Sequence, residues 1–182
     1  MESPIIVRMI LLKTAMALLL VSSPVAAQEI ELVKEVCGKT SVRYDDCTEA
    51  LYDFQTVTTK DLRALTMLTL NLAMANSSEA MGFVSGMVEN SPPAMKPVLD
   101  SCFGFLYGSY FSFHSAILDI NMGGKSTAAS LITNALAGPA DCRTAMELAK
   151  VSIPAVQTRC NNVEFFGKIS YTATSMLTKT GS

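Results

Sequence analysis

The chain has one histidine, His114, no Cys-x-x-Cys pair and few charges, and each shortage closes off a class of function. A lone histidine among scattered cysteines gives a zinc ion too few correctly spaced ligands, so no metal and no cofactor is expected. Charged residues make up 16% of the 182, the formal charge is -2, and no cluster of Lys or Arg exists to meet phosphates. Nucleic acid is therefore excluded as a partner. Sustained period-two alternation is missing, as is any Asn-Gly hairpin turn, so no sheet is expected.

What the chain does have begins with its N-terminus. Arg8 and Lys13 precede an apolar run over residues 15–21, followed by Ser22, Ser23, Pro24 and Val25-Ala26-Ala27. Small residues at Val25 and Ala27 satisfy a signal-peptidase site, which predicts a signal peptide over 1–27, cleaved before Gln28. The run is short for a bilayer, and no later segment reads as the ~20 apolar residues a span needs, so no membrane association is expected after cleavage. Losing Glu2, Arg8 and Lys13 leaves 12 basic and 15 acidic residues, a mature charge of -3.

Secretion changes how the cysteines read. Cys37, Cys47, Cys102, Cys142 and Cys160 all follow the cleavage site, and an oxidising compartment favours disulfides. Two bridges can be drawn in fifteen ways, five choices of the odd thiol times three pairings of the rest, and sequence does not choose among them. Proximity favours Cys37 with Cys47. Cys102 and Cys142 then lie on two successive expected helices, leaving Cys160 as a free thiol. A monomer is expected, with a disulfide dimer through Cys160 as the alternative.

Residues 96–120 carry the strongest periodic signal. Val98, Cys102, Phe105, Leu106, Ser109, Phe113, Ala116, Ile117 and Ile120 fall on one helical face. Pro97 suits the first turn, and Asn121-Met122-Gly123-Gly124 reads as the stop. At 1.5 Å per residue such a helix is roughly 36 Å long and needs other long helices beside it. Short helices are expected over 29–36 and 45–54, split at Gly38-Lys39-Thr40-Ser41. A second long helix should be capped by Thr58 or Thr59, with Asp61 in its first turn. Leu62, Leu65, Thr69, Leu72, Asn76, Ala80, Phe83 and Met87 mark its face, with a weak point over 76–79. Beyond Gly124, a helix over 126–137 should kink or split at Gly138-Pro139 and resume over 140–150. The last helix is expected over 155–177. The fold class is therefore all-α: a disulfide-clamped helical hairpin over 28–56, then an up-down-up-down four-helix bundle over 57–178.

Reactive groups do not converge. His114 sits among aromatic neighbours on a helix, and Asp45, Asp46 and Asp53 read as a solvated face. Gly123-Gly124-Lys125-Ser126 resembles the end of a phosphate loop, but it follows a helix and lacks the earlier glycine. The methionines Met67, Met74, Met81, Met87 and Met95 suit core gaps or an adaptable surface, and the second motivates a secreted carrier of apolar ligands as an alternative function. Asn76-Ser77-Ser78 is a glycosylation sequon on the expected apolar face.

Taken in order, VKEVCGKTSVRYDDCTEAL, KDLRAL, PVLDSCFGFLYGSY and ADCRTAMELA resemble the plant invertase and pectin methylesterase inhibitor family. The resemblance covers essentially the whole mature chain and rests on the order and spacing of four cysteines. It implies bridges Cys37–Cys47 and Cys102–Cys142, secretion to the apoplast and cell wall, and no catalysis. Its members inhibit a cell-wall carbohydrate enzyme as a stoichiometric complex, with bundle helices over the substrate cleft. Because the chain ends at Ser182, a free-standing inhibitor is expected. Invertase inhibitors of the family carry a GDPKF-like motif between the second and third long helices. Here that region is Met122-Gly123-Gly124-Lys125-Ser126, which keeps a lysine as Lys125, a candidate partner contact, but lacks the proline and phenylalanine. Pectin methylesterase is thus the expected target and acid invertase the alternative.

Overall fold

The computed structural model describes residues 24–53 and 61–179, with side chains described over 31–52 and 61–179. Six helices follow one another and no strand occurs among the described residues. They are α1 (Pro24–Lys39), α2 (Tyr44–Asp53), α3 (Leu62–Asn90), α4 (Lys96–Asn121), α5 (Lys125–Leu148) and α6 (Pro154–Lys179). The first 23 residues of the expected signal peptide, and Thr58 and Thr59, lie outside the described residues. The start of α3 is capped instead by Asp61, whose carboxylate accepts the Ala64 N–H at 2.6 Å in the extended conformation a cap requires.

Helix α3 packs on α4 and α6, and α5 packs on α4 and α6, so the four long helices close into a ring in sequence order. The hairpin α1–α2 rests on α6 through α1. Two apolar clusters result. The larger fills the bundle around Phe113, Leu106, Leu99 and Ile132. The smaller joins Val33, Val36 and Leu51 of the hairpin to Leu65 of α3 and Ile169 and Met176 of α6. Burying the hairpin against the bundle in this way supplies the stability that two such short helices lack alone.

Helix α3 runs unbroken through residues 76–79. The polar residues there are absorbed by back-bonding: Asn76 Nδ2 donates to the Leu72 carbonyl at 2.9 Å and Ser77 Oγ to that of Ala73 at 2.9 Å. The buried face is rotated from the expected one, with Thr66, Leu70, Ala73, Ser77 and Val84 inside and Leu72, Asn76, Phe83 and Met87 only half-buried. On α4 the expected face is found except at Phe105, which is exposed, and Ile117, which is half-buried.

The expected break at Gly138-Pro139 does not occur, and α5 is one helix with a proline inside it. Pro139 has no N–H for the Ala135 carbonyl four residues back. Ser109 of α4 replaces that donor, its hydroxyl reaching the Ala135 oxygen at 2.7 Å in a fully buried position. Gly138 makes the approach feasible. A Cβ there would lie 2.1 Å from Ser109 Oγ and 2.3 Å from the Phe105 carbonyl oxygen.

Candidate functional site

The disulfides are Cys37–Cys47, which joins the ends of α1 and α2, and Cys102–Cys142, which joins α4 to α5 with Cα atoms 4.5 Å apart. Cys142, Gly138 and Ala135 of α5 thus meet Cys102, Phe105 and Ser109 of α4 along one antiparallel seam. Two helices tied by a covalent bond and by a serine-to-carbonyl bond form a stiff pair. Whatever projects outward from α4 is displayed on a rigid base.

What projects is aromatic. Tyr107 is 47% exposed, Phe111 45%, Leu118 48% and Met122, just past the helix end, 80%. Phe103, Tyr107 and Phe111 follow at four-residue spacing on one outer face, with ring centroids 6.2 and 4.5 Å apart. Tyr110 meets the Phe111 ring nearly edge-on. Between Asp100 and Asp119 the chain contains no Asp, Glu, Lys or Arg, so the stretch from Phe103 to Leu118 carries no formal charge when His114 is neutral, and Glu89 and Asp100 border it at the Phe103 end. Exposed aromatic and Met side chains with few charges are the composition found at the centres of protein interfaces.

The loop after α4 closes the face. Gly123 sits at φ 91°, which favours glycine, and a Cβ on Gly124 would fall 2.3 Å from Asp119 Oδ1, so a side chain there would displace the Asp119 carboxylate. Lys125 opens α5, half-buried, and its ammonium has no ion-pair partner among the described residues.

The other candidate residues lie elsewhere. His114 is half-buried on α4. Asp46 pairs with Arg43, beside Asp45, in an exposed turn at the start of α2, and the side chain of Asp53 lies outside those described. Asn76 is half-buried and its amide is held by the Leu72 carbonyl, so a glycan there requires that bond to open. Cys160 is a free thiol with no exposed surface. Burial, assisted by the Glu164 charge and opposed by that of Arg143, pushes its pKa up to about 11. An intermolecular bridge through it would require α6 to lift from the bundle. No group of three or more His, Cys, Asp or Glu among the described residues is arranged to hold a metal.

One charged cluster escaped the sequence reading. Glu164 of α6 accepts from Arg143 of α5 through Oε2 and from Lys168 through Oε1, both at 2.6 Å. Burial disfavours this carboxylate, but the hydrogen bonds and charges of Lys168 and Arg143 outweigh it and hold the pKa below the ordinary glutamate value. The i,i+4 spacing of Glu164 and Lys168 was legible; Arg143 is brought in only by the packing of α5 on α6.

A disulfide-braced helical bundle presenting an uncharged aromatic helix face has the build of a protein that works by binding. The profile of the family described as plant invertase/pectin methylesterase inhibitor matches residues 31–176, and the chain belongs to that family, whose members are inhibitors and not enzymes. The chain is 25% identical over 166 residues to a Platanus acerifolia protein named "Putative invertase inhibitor", covering 88% of this chain and 91% of that one. Its fold matches a crystal structure of a pectin methylesterase inhibitor from Arabidopsis thaliana with TM-score 0.62 and 17% identity, covering 80% of this chain and 95% of the other. A mutant form of a pectin methylesterase inhibitor from Arabidopsis superposes with TM-score 0.69 at 17% identity, over 78% and 93% of the two chains. No helix among the described residues is long and apolar enough to cross a membrane.

Proposed function

We propose that this inhibitor-type protein blocks a pectin methylesterase, forming a stoichiometric non-covalent complex in which the outer face of α4 covers the enzyme's substrate cleft. The observation that carries the choice of target is the α4–α5 connection. It is only Met122-Gly123-Gly124 before Lys125, with neither the proline nor the phenylalanine that the family's invertase-directed motif carries. The rigid α4–α5 pair supports the mode of action, because a preorganised surface loses little conformational entropy on docking and needs no reactive group. Residues 1–27 serve as the secretion signal, the domain begins at Gln28, and the protein acts as a monomer in the cell wall.

Acid invertase is the second reading, favoured by the name of the Platanus relative and by the retained Lys125. A side-by-side titration separates them. Oxidised protein from a secreting host is added to a plant pectin methylesterase and to an acid invertase at acidic and neutral pH. Saturating loss of pectin methylesterase activity near equimolar ratio is expected, and Phe111→Ala should weaken it at least tenfold. Loss of invertase activity alone would transfer the assignment, and no loss of either would remove it.

A further inference from the structure

On the opposite side of the bundle from α4, the turn between α1 and α2 and the outer face of α6 border an open groove of about 240 Å³ lined by Val42, Asn161, Glu164, Phe165 and Lys168. We infer that this groove binds a uronate, a sugar ring bearing a carboxylate, through Lys168 and Asn161.

The inference follows from counting donors and acceptors. Glu164 contributes the groove's one carboxylate, and both its oxygens are already engaged, Oε1 by Lys168 and Oε2 by Arg143 from behind. Asn161 Oδ1 is also engaged, accepting from Arg143 Nη1 at 3.3 Å. Donors, by contrast, are in excess. A lysine ammonium has three N–H groups and an asparagine amide two. Among the described residues one N–H of Lys168 is taken, and no partner holds the Asn161 amide nitrogen. Two cations around one anion also leave a local charge of +1 on a chain whose formal charge is -2. A neutral ligand would satisfy the spare N–H groups but not the charge; a carboxylate does both, through charge-assisted hydrogen bonds.

The rest of the groove selects among carboxylates. Val42 and Phe165 give it an apolar lining, and the Phe165 ring is fixed edge-to-face on Phe166 with centroids 5.1 Å apart. Val42 lies within the loop closed by Cys37–Cys47, so that wall is also held in place. A pyranose ring matches this mixture, with C–H groups for the apolar lining and hydroxyls for Asn161. The volume is below the ~300–1,000 Å³ of pockets for drug-sized ligands and suits a single ring.

Position gives the site its use. In the closed ring of helices α4 and α6 are diagonal, so a groove on α6 stays open while α4 is covered. Resting on the pectin methylesterase reading, the ligand would be the polyuronate whose carboxylates that enzyme unmasks, and the inhibitor would be retained where de-esterified polymer accumulates.

The test is a ¹⁵N NMR titration of the full oxidised protein with galacturonate, its methyl ester, galactose and trigalacturonate, at low and high salt. Galacturonate should shift the Asn161 side-chain amide and the backbone of residues 161–168. Neither the methyl ester nor galactose should do so at the same concentration, and salt should weaken the response. Lys168→Gln should reduce affinity at least tenfold. Because that change also removes an ion pair, Asn161→Asp, which adds a negative charge at an exposed position, must give the same loss. Tighter binding of trigalacturonate assigns the site to polymer, and equal binding assigns it to the free sugar acid. Equal response to galactose or the ester, shifts located elsewhere, or indifference to both substitutions overturns the inference. Enzyme inhibition is measured separately, so a protein that inhibits without binding galacturonate loses this site alone.

Discussion

At the residue scale, a buried carbonyl left over by proline decides more than its size suggests. Ser109 exists in the core to serve Ala135, so Ser109→Ala should cost about 1–3 kcal/mol, the usual penalty for a buried acceptor left unsatisfied. In a Pro139→Ala background the restored N–H takes over the Ala135 carbonyl, and the same substitution should cost well under half as much. A double-mutant cycle by urea denaturation reads the coupling; additive effects would break the assignment. Glu164 makes a pH prediction. Its folded pKa lies below its unfolded value of about 4.3, so its stabilisation is complete above that value and is lost as pH falls through the folded pKa. Glu164→Gln should therefore flatten stability against pH below about pH 4.5 while leaving the curve above it parallel. Cys160 behaves in the opposite sense. With its pKa at about 11 it is a neutral thiol at physiological pH, and Ellman's reagent should reach it only at the rate of unfolding.

At the element scale, the helix ends and notches set the geometry. Helix α5 terminates with Lys150 N–H donating to the Glu147 carbonyl and Val151 N–H to that of Met146, and Lys150 sits at φ 54°. This is a Schellman ending with a lysine where glycine is favoured. Lys150→Gly should raise stability by about 0.5–1 kcal/mol in thermal or urea unfolding, since relief of the left-handed strain exceeds the added freedom of the unfolded chain. A second packing device joins α4 to α6. Phe113, fully buried, fits against Gly167, where a Cβ would come within 3.0 Å of its ring and 2.6 Å of Leu136. Phe113→Ala should cost about 3–5 kcal/mol.

At the scale of the whole molecule, the covalent links and the ring closure act together. On the chain-entropy account, closing the longer loop through Cys102–Cys142 contributes about 4 kcal/mol and the shorter through Cys37–Cys47 about 2.5–3. The all-helical class, the long helices and the stop at Gly123-Gly124 were legible because apolar spacing and local turn chemistry are written residue by residue. The continuity of α3 and α5 was not. Local rules count Asn76 and Pro139 as breakers, and only neighbours distant in sequence, or a rotamer turned back on the helix, supply the missing bond. Phe105, expected to face inward, is exposed for the same reason. A helical wheel ranks faces by hydrophobicity, but which part of an apolar circumference meets a neighbour depends on where the other three helices stand.

The sequence by itself determined the class of fold and the motifs that point to the family, because these rest on periodicity, composition and spacing along the chain. The tertiary structure alone decided that α4 shows an uncharged aromatic face, that Ser109 repairs the helix at Pro139, and that Arg143 joins Glu164 and Lys168. Each of those depends on a distance between helices, which is set by how side chains fill the shared core and not by the order of residues within one helix.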